Sequence, residues 1–155
     1  MIFNRTGYPA LAEVKEPLSS EELRVLRDQL DSEKPNPTAQ SQFNYAWGLL
    51  KSNSLRHQEQ GIHILEILYR SEPSMRRESL YYLSLGNFKT GNYTDAKRYI
   101  QTLLKSEPNN EQAQQLLKSI EDQITKDGLI GIGVAGGILA VGVGIVGALV
   151  RKNRR

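Results

Sequence analysis

Cysteine is absent from the 155 residues of this sequence, and histidine occurs only twice. The absence of cysteine excludes disulfide bonds, thiolate catalysis and zinc sites with cysteine ligands. The two histidines, His57 and His63, have no serine or carboxylate partner at a recognised catalytic spacing, and they do not form a metal-binding pair. The sequence therefore predicts a protein that is not an enzyme and that uses no metal or cofactor.

Acidic residues are absent beyond Asp127, and this absence places the positive net charge of +3 at one end of the chain. Four of the 20 basic residues follow that point, and they are Arg151, Lys152, Arg154 and Arg155. Residues 1–127 therefore hold 16 basic and 17 acidic side chains, a net charge of −1. Because nucleic-acid binding requires a basic surface that neutralises phosphates, we expect no nucleic-acid partner.

Charged, amide and hydroxyl side chains are all missing from residues 128–150, a run of 23 residues. At about 1.5 Å per residue, a helix of this length spans about 35 Å, enough to cross the ~30 Å hydrocarbon core of a bilayer. The N-terminus has no recognisable secretory signal. We therefore predict a tail-anchored, single-pass protein with a cytosolic N-terminal domain, a transmembrane helix over residues 128–150 and a basic targeting tail over residues 151–155.

Two further features of the predicted anchor bear on its partners and its destination. Gly133 and Gly137 form a G-x-x-x-G pair, a spacing that lets membrane helices approach closely, so self-association into a homo-oligomer stays open. The modest hydrophobicity of the anchor and its basic end favour the mitochondrial outer membrane or the peroxisome over the endoplasmic reticulum.

Helix-start signals divide the part of the chain that precedes the anchor. Ser19 and Glu22 form a capping box, which predicts a helix over about residues 20–31. Thr38 is placed to cap a second helix over Ala39–Lys51 after a proline-containing break.

An internal repeat with an offset of 35 residues indicates the architecture. Ile64–Pro73 aligns with Tyr99–Pro108, and the small residues Gly61 and Ala96 fall opposite each other. A period near 34 with an apolar ladder and a terminal proline is typical of tetratricopeptide helix–turn–helix units. The loop over Ser52–His57 leaves the register of the first unit open by about three residues.

The second unit predicts a helix around Leu80 and Leu83, a turn at Gly91–Tyr93 and a second helix from about Thr94. Small residues such as Ala96 allow the two helices to cross closely.

The predicted fold class is therefore all-α: a six-helix bundle with two tetratricopeptide-like hairpins plus capping helices, followed by one C-terminal transmembrane helix. A repeat unit cannot bury its face alone, so residues 20–31 and 110–126 would serve as the caps. We assign residues 1–17 to a flexible N-terminal arm and residues 18–126 to the tetratricopeptide-like cytosolic domain.

Stacked helical hairpins form a concave groove that suits a helix or an extended peptide. In the second unit, the residues of the first helix that are not assigned to the core are Arg77, Glu78, Tyr81, Tyr82, Leu85, Phe88 and Lys89. Tyrosine and arginine often anchor protein interfaces. The alternative that Tyr82, Leu85 and Phe88 complete the core stays open.

The segments SQFNYAWGLL at residues 41–50 and RRESLYYLSLGN at residues 76–87 resemble the mitochondrial fission protein 1 family. The resemblance continues through the second repeat and the basic-ended anchor, and it covers most of residues 18–155. It implies a non-enzymatic receptor in the mitochondrial outer membrane, and also in the peroxisomal membrane, whose concave face binds an adaptor. In fungi this adaptor is a coiled-coil and WD40-repeat protein that recruits a dynamin-related GTPase, which constricts the organelle.

The resemblance also implies groove positions, which fall here on Asn44, Gly48, Lys51, Glu78, Tyr81, Tyr82 and Leu85. The arm of fungal relatives can lie in or beside the groove, and for this chain we state the same hypothesis for Ile2, Phe3, Tyr8 and Leu11.

An alternative function is a tail-anchored tetratricopeptide co-receptor that docks chaperones or import clients at the outer membrane. A third is an anchor that bends or perforates the membrane through its glycine-rich helix.

Overall fold

The protein is described by a computed structural model that covers residues 11–136, with side chains described for residues 13–128. Its α-helices are α1 (Leu11–Val14), α2 (Ser20–Ser32), α3 (Ala39–Lys51), α4 (Leu55–Ser71), α5 (Arg76–Lys89), α6 (Tyr93–Ser106) and α7 (Glu111–Gly136). A 3-10 turn over Pro73–Met75 precedes α5, and residues 11–136 contain no strand. The all-α prediction with six principal helices, α2 to α7, is confirmed. The single turn of α1 was not predicted.

Side-chain caps fix the starts of α2 and α3. The Ser19 hydroxyl accepts the Glu22 N–H at 3.1 Å, and the Glu22 carboxylate accepts the Ser19 N–H at 2.9 Å. The predicted capping box is therefore confirmed. The Thr38 hydroxyl accepts the Ser41 N–H at 3.1 Å, and α3 begins and ends where the sequence predicted.

The connections within the two hairpins are short. Ser54 caps α4, which begins at Leu55 and so fixes the register that the sequence left open. Gly91 adopts a φ of 85°, a left-handed conformation that glycine tolerates without steric cost. This residue makes the predicted turn, and α6 begins at Tyr93, one residue before the predicted start.

Small residues lie where the helices of each hairpin cross. A Cβ atom on Gly61 of α4 would come within 2.8 Å of the Ala46 carbonyl oxygen of α3, so a larger residue would push the two backbones apart. In the second hairpin, the Ser84 hydroxyl of α5 donates to the Ala96 carbonyl of α6 at 2.7 Å. The predicted close crossings at Gly61 and Ala96 are confirmed.

The described part of the chain divides into two compact units, one that ends at Lys118 and one that begins at Ser119. In the first unit, α3 packs on α4, α4 on α5 and α5 on α6, while α2 packs on α3. The core between these helices includes fully buried leucines at Leu49, Leu50, Leu65, Leu83 and Leu103. Burial of one leucine side chain contributes about 1.5–3 kcal/mol, so this core is a main source of stability.

The second unit contains the described end of α7. This helix continues to Gly136 and thus includes the first nine residues of the predicted anchor, 128–136. Among the described residues, no helix combines the length and the apolar character that a membrane crossing requires. The rest of the predicted transmembrane helix and the basic tail over residues 151–155 lie outside the described residues.

Candidate functional site

The predicted groove residues lie on two neighbouring helices. Asn44, Gly48 and Lys51 are on α3, and Arg77, Glu78, Tyr81, Tyr82, Leu85 and Lys89 are on α5. We use the name α3–α5 face for the surface formed by these α3 residues, by Tyr81, Tyr82, Leu85 and Lys89, and by the aromatic residues Phe43 and Trp47.

Aromatic rings join the two helices of this face. The Tyr82 ring meets Phe43 with centroids 4.9 Å apart and Trp47 with centroids 5.1 Å apart, both edge to face. Tyr81 meets Tyr82 in the same manner at 5.6 Å. Edge-to-face pairs contribute roughly 0.5–1.5 kcal/mol beyond the burial of their area, so Tyr82 is a central contact between α3 and α5.

Phe43 and Trp47 were not among the predicted groove residues. Their sequence signal is a pair of large aromatic residues four positions apart, which places both rings on one side of α3.

Burial divides the predicted residues of the face. Tyr81 is 3% exposed, Tyr82 is 2% exposed and Leu85 is completely buried. A partner can therefore reach these three side chains only if neighbouring groups move. Asn44 is half-buried, and its amide oxygen accepts a hydrogen bond from the Gln40 side chain at 2.9 Å.

Gly48 lies at the point where α2 packs against α3. A Cβ atom at this position would lie 2.8 Å from Leu26 Cδ1 and 3.1 Å from Leu23 Cδ1, both on α2. The absence of a side chain at Gly48 therefore serves helix packing in this structure.

Two lysines lie at the C-terminal end of α3. The Lys51 ammonium lies 5.5 Å from the centre of the Trp47 ring, within the range of a cation–π contact. Lys89 of α5 donates to the carbonyl oxygens of Val14, Leu50 and Ser52 at 2.7, 2.8 and 3.0 Å. Burial, together with the like charge of Lys51, lowers the pKa of Lys89 to about 8.

Arg77 and Glu78, at the start of α5, belong to a separate ionic group. The Arg77 guanidinium pairs with Glu78 at 3.7 Å and forms a hydrogen-bonded ion pair with Glu107, which follows α6. Burial acts to raise the pKa of Glu107, but hydrogen bonds from Arg77 and Asn110 lower it overall. Arg77 thus links α5 to the end of α6.

The N-terminal segment reaches the α3–α5 face. α1 contacts both α3 and α5, the Val14 side chain is completely buried, and the Val14 carbonyl accepts the bond from Lys89. Part of the predicted flexible arm therefore forms a helical turn against the face. Ile2, Phe3 and Tyr8 lie outside the described residues.

The described residues offer no evident site for a metal ion. No group of three or more histidine, aspartate or glutamate side chains comes together between residues 13 and 128 in a way that could hold one. The His57 ring is instead hydrogen-bonded to the Ser52 hydroxyl at 2.9 Å. The α3–α5 face is therefore built on a buried aromatic cluster that is bordered by two lysines.

Known proteins are similar to this chain in sequence and in fold. Residues 40–72 match the family described as Fis1 N-terminal tetratricopeptide repeat, and residues 77–129 match the Fis1 C-terminal tetratricopeptide repeat. The chain is 62% identical over 154 residues to the mitochondrial fission 1 protein of Candida albicans, covering 99% of this chain and 100% of that protein.

Two solved structures are similar in fold and sequence. One is the crystal structure of yeast Fis1 in complex with an Mdv1 fragment that contains the N-terminal extension and coiled-coil domains. Its TM-score is 0.75 and its sequence identity is 45%, and the match covers 77% of this chain and 95% of that one. Yeast Fis1 with a fragment of yeast Caf4 gives a TM-score of 0.58 and 47% identity, covering 60% of this chain and 96% of that one.

Proposed function

We propose that this chain, which belongs to the mitochondrial fission 1 protein family, is a non-enzymatic membrane receptor. Its α3–α5 face would bind a fission adaptor. The bound adaptor recruits a dynamin-related GTPase, which divides mitochondria and peroxisomes. The observation that carries this proposal is the similarity to yeast Fis1, which has been crystallised with fragments of Mdv1 and of Caf4.

The chemistry of the face supports this role. Phe43, Trp47 and Tyr82 form a compact aromatic cluster in which each residue is only 2% exposed, and aromatic residues often supply much of the binding energy at protein interfaces once a partner reaches them. The half-exposed Lys51 at its border suits an acidic or amphipathic helix. An adaptor with coiled-coil and WD40 domains would present such a helix.

Binding at this face requires a rearrangement, because Tyr81 and Tyr82 are almost completely buried. We propose that the N-terminal segment moves from the face when the adaptor binds. Ile2, Phe3, Tyr8 and Leu11 would then be part of the segment that exchanges with the partner.

The membrane anchor completes the proposal. Residues 128–150 would cross the mitochondrial outer membrane once, the basic residues 151–155 would direct targeting, and a share of the protein would reach peroxisomes. Attachment to a surface raises the local concentration of receptors, so that several weak contacts capture an oligomeric adaptor. Self-association of the anchor would add to this effect.

The test uses the full chain in detergent micelles and the Mdv1 fragment that crystallised with the yeast relative. Asn44→Arg places a long charged side chain at the half-buried edge of the face without removing a core residue. We expect affinity for the fragment to fall about tenfold or more, which corresponds to ~1.4 kcal/mol.

The matched control is Asn109→Arg, an equal change at an exposed position between α6 and α7. It should bind as tightly as the unmodified chain in the same calorimetric titration. Equal affinities for both variants would contradict binding at the α3–α5 face, and no binding by the unmodified chain would contradict the receptor function for this probe.

A further inference from the structure

Lys89 connects parts of the chain that are distant in sequence. Its ammonium group has three N–H donors, and all three are used by the carbonyl oxygens of Val14, Leu50 and Ser52. The bond to Val14 spans 75 residues of sequence. A side chain that was predicted to face a partner is thus occupied within its own chain.

Two of these bonds are explained by the end of α3. Leu50 lies in the last turn of α3 and Ser52 is its C-cap residue. The last carbonyl groups of a helix have no partner within the helix, and they carry the negative end of its dipole. A cation at this position stabilises α3 with or without the N-terminal segment.

The third bond has a different consequence, because it holds the segment that lies on the α3–α5 face. α1 is a single turn, and a bond from the Glu16 N–H to the Glu13 carbonyl at 3.2 Å follows its last residue. Isolated helices of this length are not stable in water, so α1 depends on its contacts with α3 and α5. The buried Val14 and its bonded carbonyl are two of these contacts.

We infer that Lys89 is the positioning residue that fixes the N-terminal segment on the α3–α5 face. Its ammonium ties the Val14 carbonyl to the C-terminal end of α3, and loss of its N–H donors releases residues 11–16 from the face. The inference concerns the regulation of the proposed binding face, and its consequence for partner affinity rests on the proposed function.

The charges around Lys89 are compatible with this role. Lys51 on α3 repels it, Glu13 and Lys15 flank Val14 in the sequence, and His57 of α4 is hydrogen-bonded to the Ser52 hydroxyl. Burial lowers the pKa of Lys89 only to about 8, so the ammonium is still mostly protonated at pH 7. The three carbonyl oxygens favour the protonated form and offset part of the cost of burial.

The test is amide hydrogen exchange of the full chain in detergent micelles at pH 7. Lys89→Met keeps a long apolar side chain but removes the charge and every donor. We expect the Glu16 amide and its neighbours in residues 11–16 to exchange about tenfold faster or more, since hydrogen bonds from charged donors are among the stronger ones. Acrylamide quenching of Trp47, the sole tryptophan, should increase as α1 leaves α3.

Lys105→Met is the matched control, because Lys105 is an exposed lysine near the end of α6. It should leave exchange in residues 11–16 unchanged. Amides in α5 and α6 report whether each variant stays folded. Should Lys89→Met not fold, Lys89→Gln removes the charge but keeps two N–H donors, and it should accelerate exchange by a smaller factor.

Exchange in residues 11–16 that is equal in the unmodified chain and in a folded Lys89 variant would overturn the inference. Affinity for the Mdv1 fragment is measured separately, and release of the segment should make binding several-fold tighter. Faster exchange with unchanged affinity would support the role of Lys89 and contradict the proposed displacement of the N-terminal segment by the adaptor, whereas the binding face itself is tested by Asn44→Arg. The two failures are therefore distinguishable.

Discussion

α2 and α5 are held in place by opposite means. α2 has a complete capping box at its start and no buried residue along its length. α5 has no side-chain cap at its start, but every residue from Ser79 to Asn87 is buried. One helix is therefore specified mainly by polar groups at its ends, and the other mainly by the helices that surround it.

This difference indicates how the two helices should respond to change. Polar caps contribute about 0.5–2 kcal/mol each, whereas loss of one buried side chain in a packed core costs about 2–5 kcal/mol. We expect α5 to be sensitive to the volume of its side chains and α2 to the charge of its polar groups. Since α5 carries much of the α3–α5 face, that face has a rigid base.

The largest expected effect comes from truncation of a core side chain in α5. Leu83 is completely buried, so Leu83→Ala should lower the free energy of unfolding by about 2–5 kcal/mol. Val25 on α2 is 63% exposed, and Val25→Ala should change the free energy of unfolding by about 0.5 kcal/mol or less. Urea denaturation followed by circular dichroism measures both. Equal losses in the two variants would break the distinction between α2 and α5.

The same contrast explains what the sequence could predict of the fold. The starts of α2 and α3 depend on Ser19 and Thr38, which cap these helices through bonds to residues three positions away. Such local caps can be predicted from the sequence. The close helix crossings at Gly61 and Ala96 could also be predicted, because the internal repeat aligns these two small residues. α1 could not be predicted, because its single turn depends on α3 and α5, which lie far away in the sequence.

The candidate site was less predictable for the same reason. The resemblance placed Tyr81, Tyr82 and Leu85 on a binding groove, whereas the alternative left open by the sequence, that Tyr82 and Leu85 complete the core, agrees with their burial. That burial results from tertiary contacts, which a local pattern does not encode. The position of Lys89 on α5 was predicted, whereas its three carbonyl partners come from α1 and from the end of α3. Backbone acceptors that are brought together only by folding leave no signal in the side-chain sequence.

A comparison of two glycines should have the next largest effect. On Gly86 of α5, a Cβ atom would lie 2.8 Å from Leu50 Cδ2 and 3.0 Å from Ile62 Cγ1. Leu50 is completely buried and has little room to move, so Gly86→Ala should cost about 1–3 kcal/mol through overpacking.

Gly48→Ala is the matched change beneath α2. Its closest neighbours, Leu26 and Leu23, are only half-buried, so their side-chain ends can move away. Alanine also favours the helix over glycine by about 0.8–1 kcal/mol, and we expect the free energy of unfolding to stay within about 1 kcal/mol of its original value. If Gly48→Ala were the more damaging variant in thermal unfolding, α2 would be packed as rigidly as α5.

The smallest effect should come from the C-terminal end of α2, where Glu33 joins this helix to the start of α3. Its carboxylate accepts hydrogen bonds from the Thr38 N–H at 2.8 Å and from the Ser41 hydroxyl at 2.8 Å. The Thr38 N–H, followed by the side chains of Gln29 and Ser41, lowers the pKa of Glu33 to about 2 from its ordinary 4.5. The folded state therefore binds this proton less readily than the unfolded state, and stability is lost as the pH falls from about 4.5 to about 2.

Glu33→Gln tests this expectation, because it keeps the shape of the side chain but removes the titration. At pH 7 the variant should unfold at a slightly lower urea concentration than the original chain, and the difference should shrink as the pH falls toward 2. Glu59→Gln, an exposed change on α4, is the control and should follow the original chain at every pH. A difference between Glu33→Gln and the original chain that stayed constant from pH 7 to pH 2 would show that this carboxylate does not hold α2 to α3 through its charge.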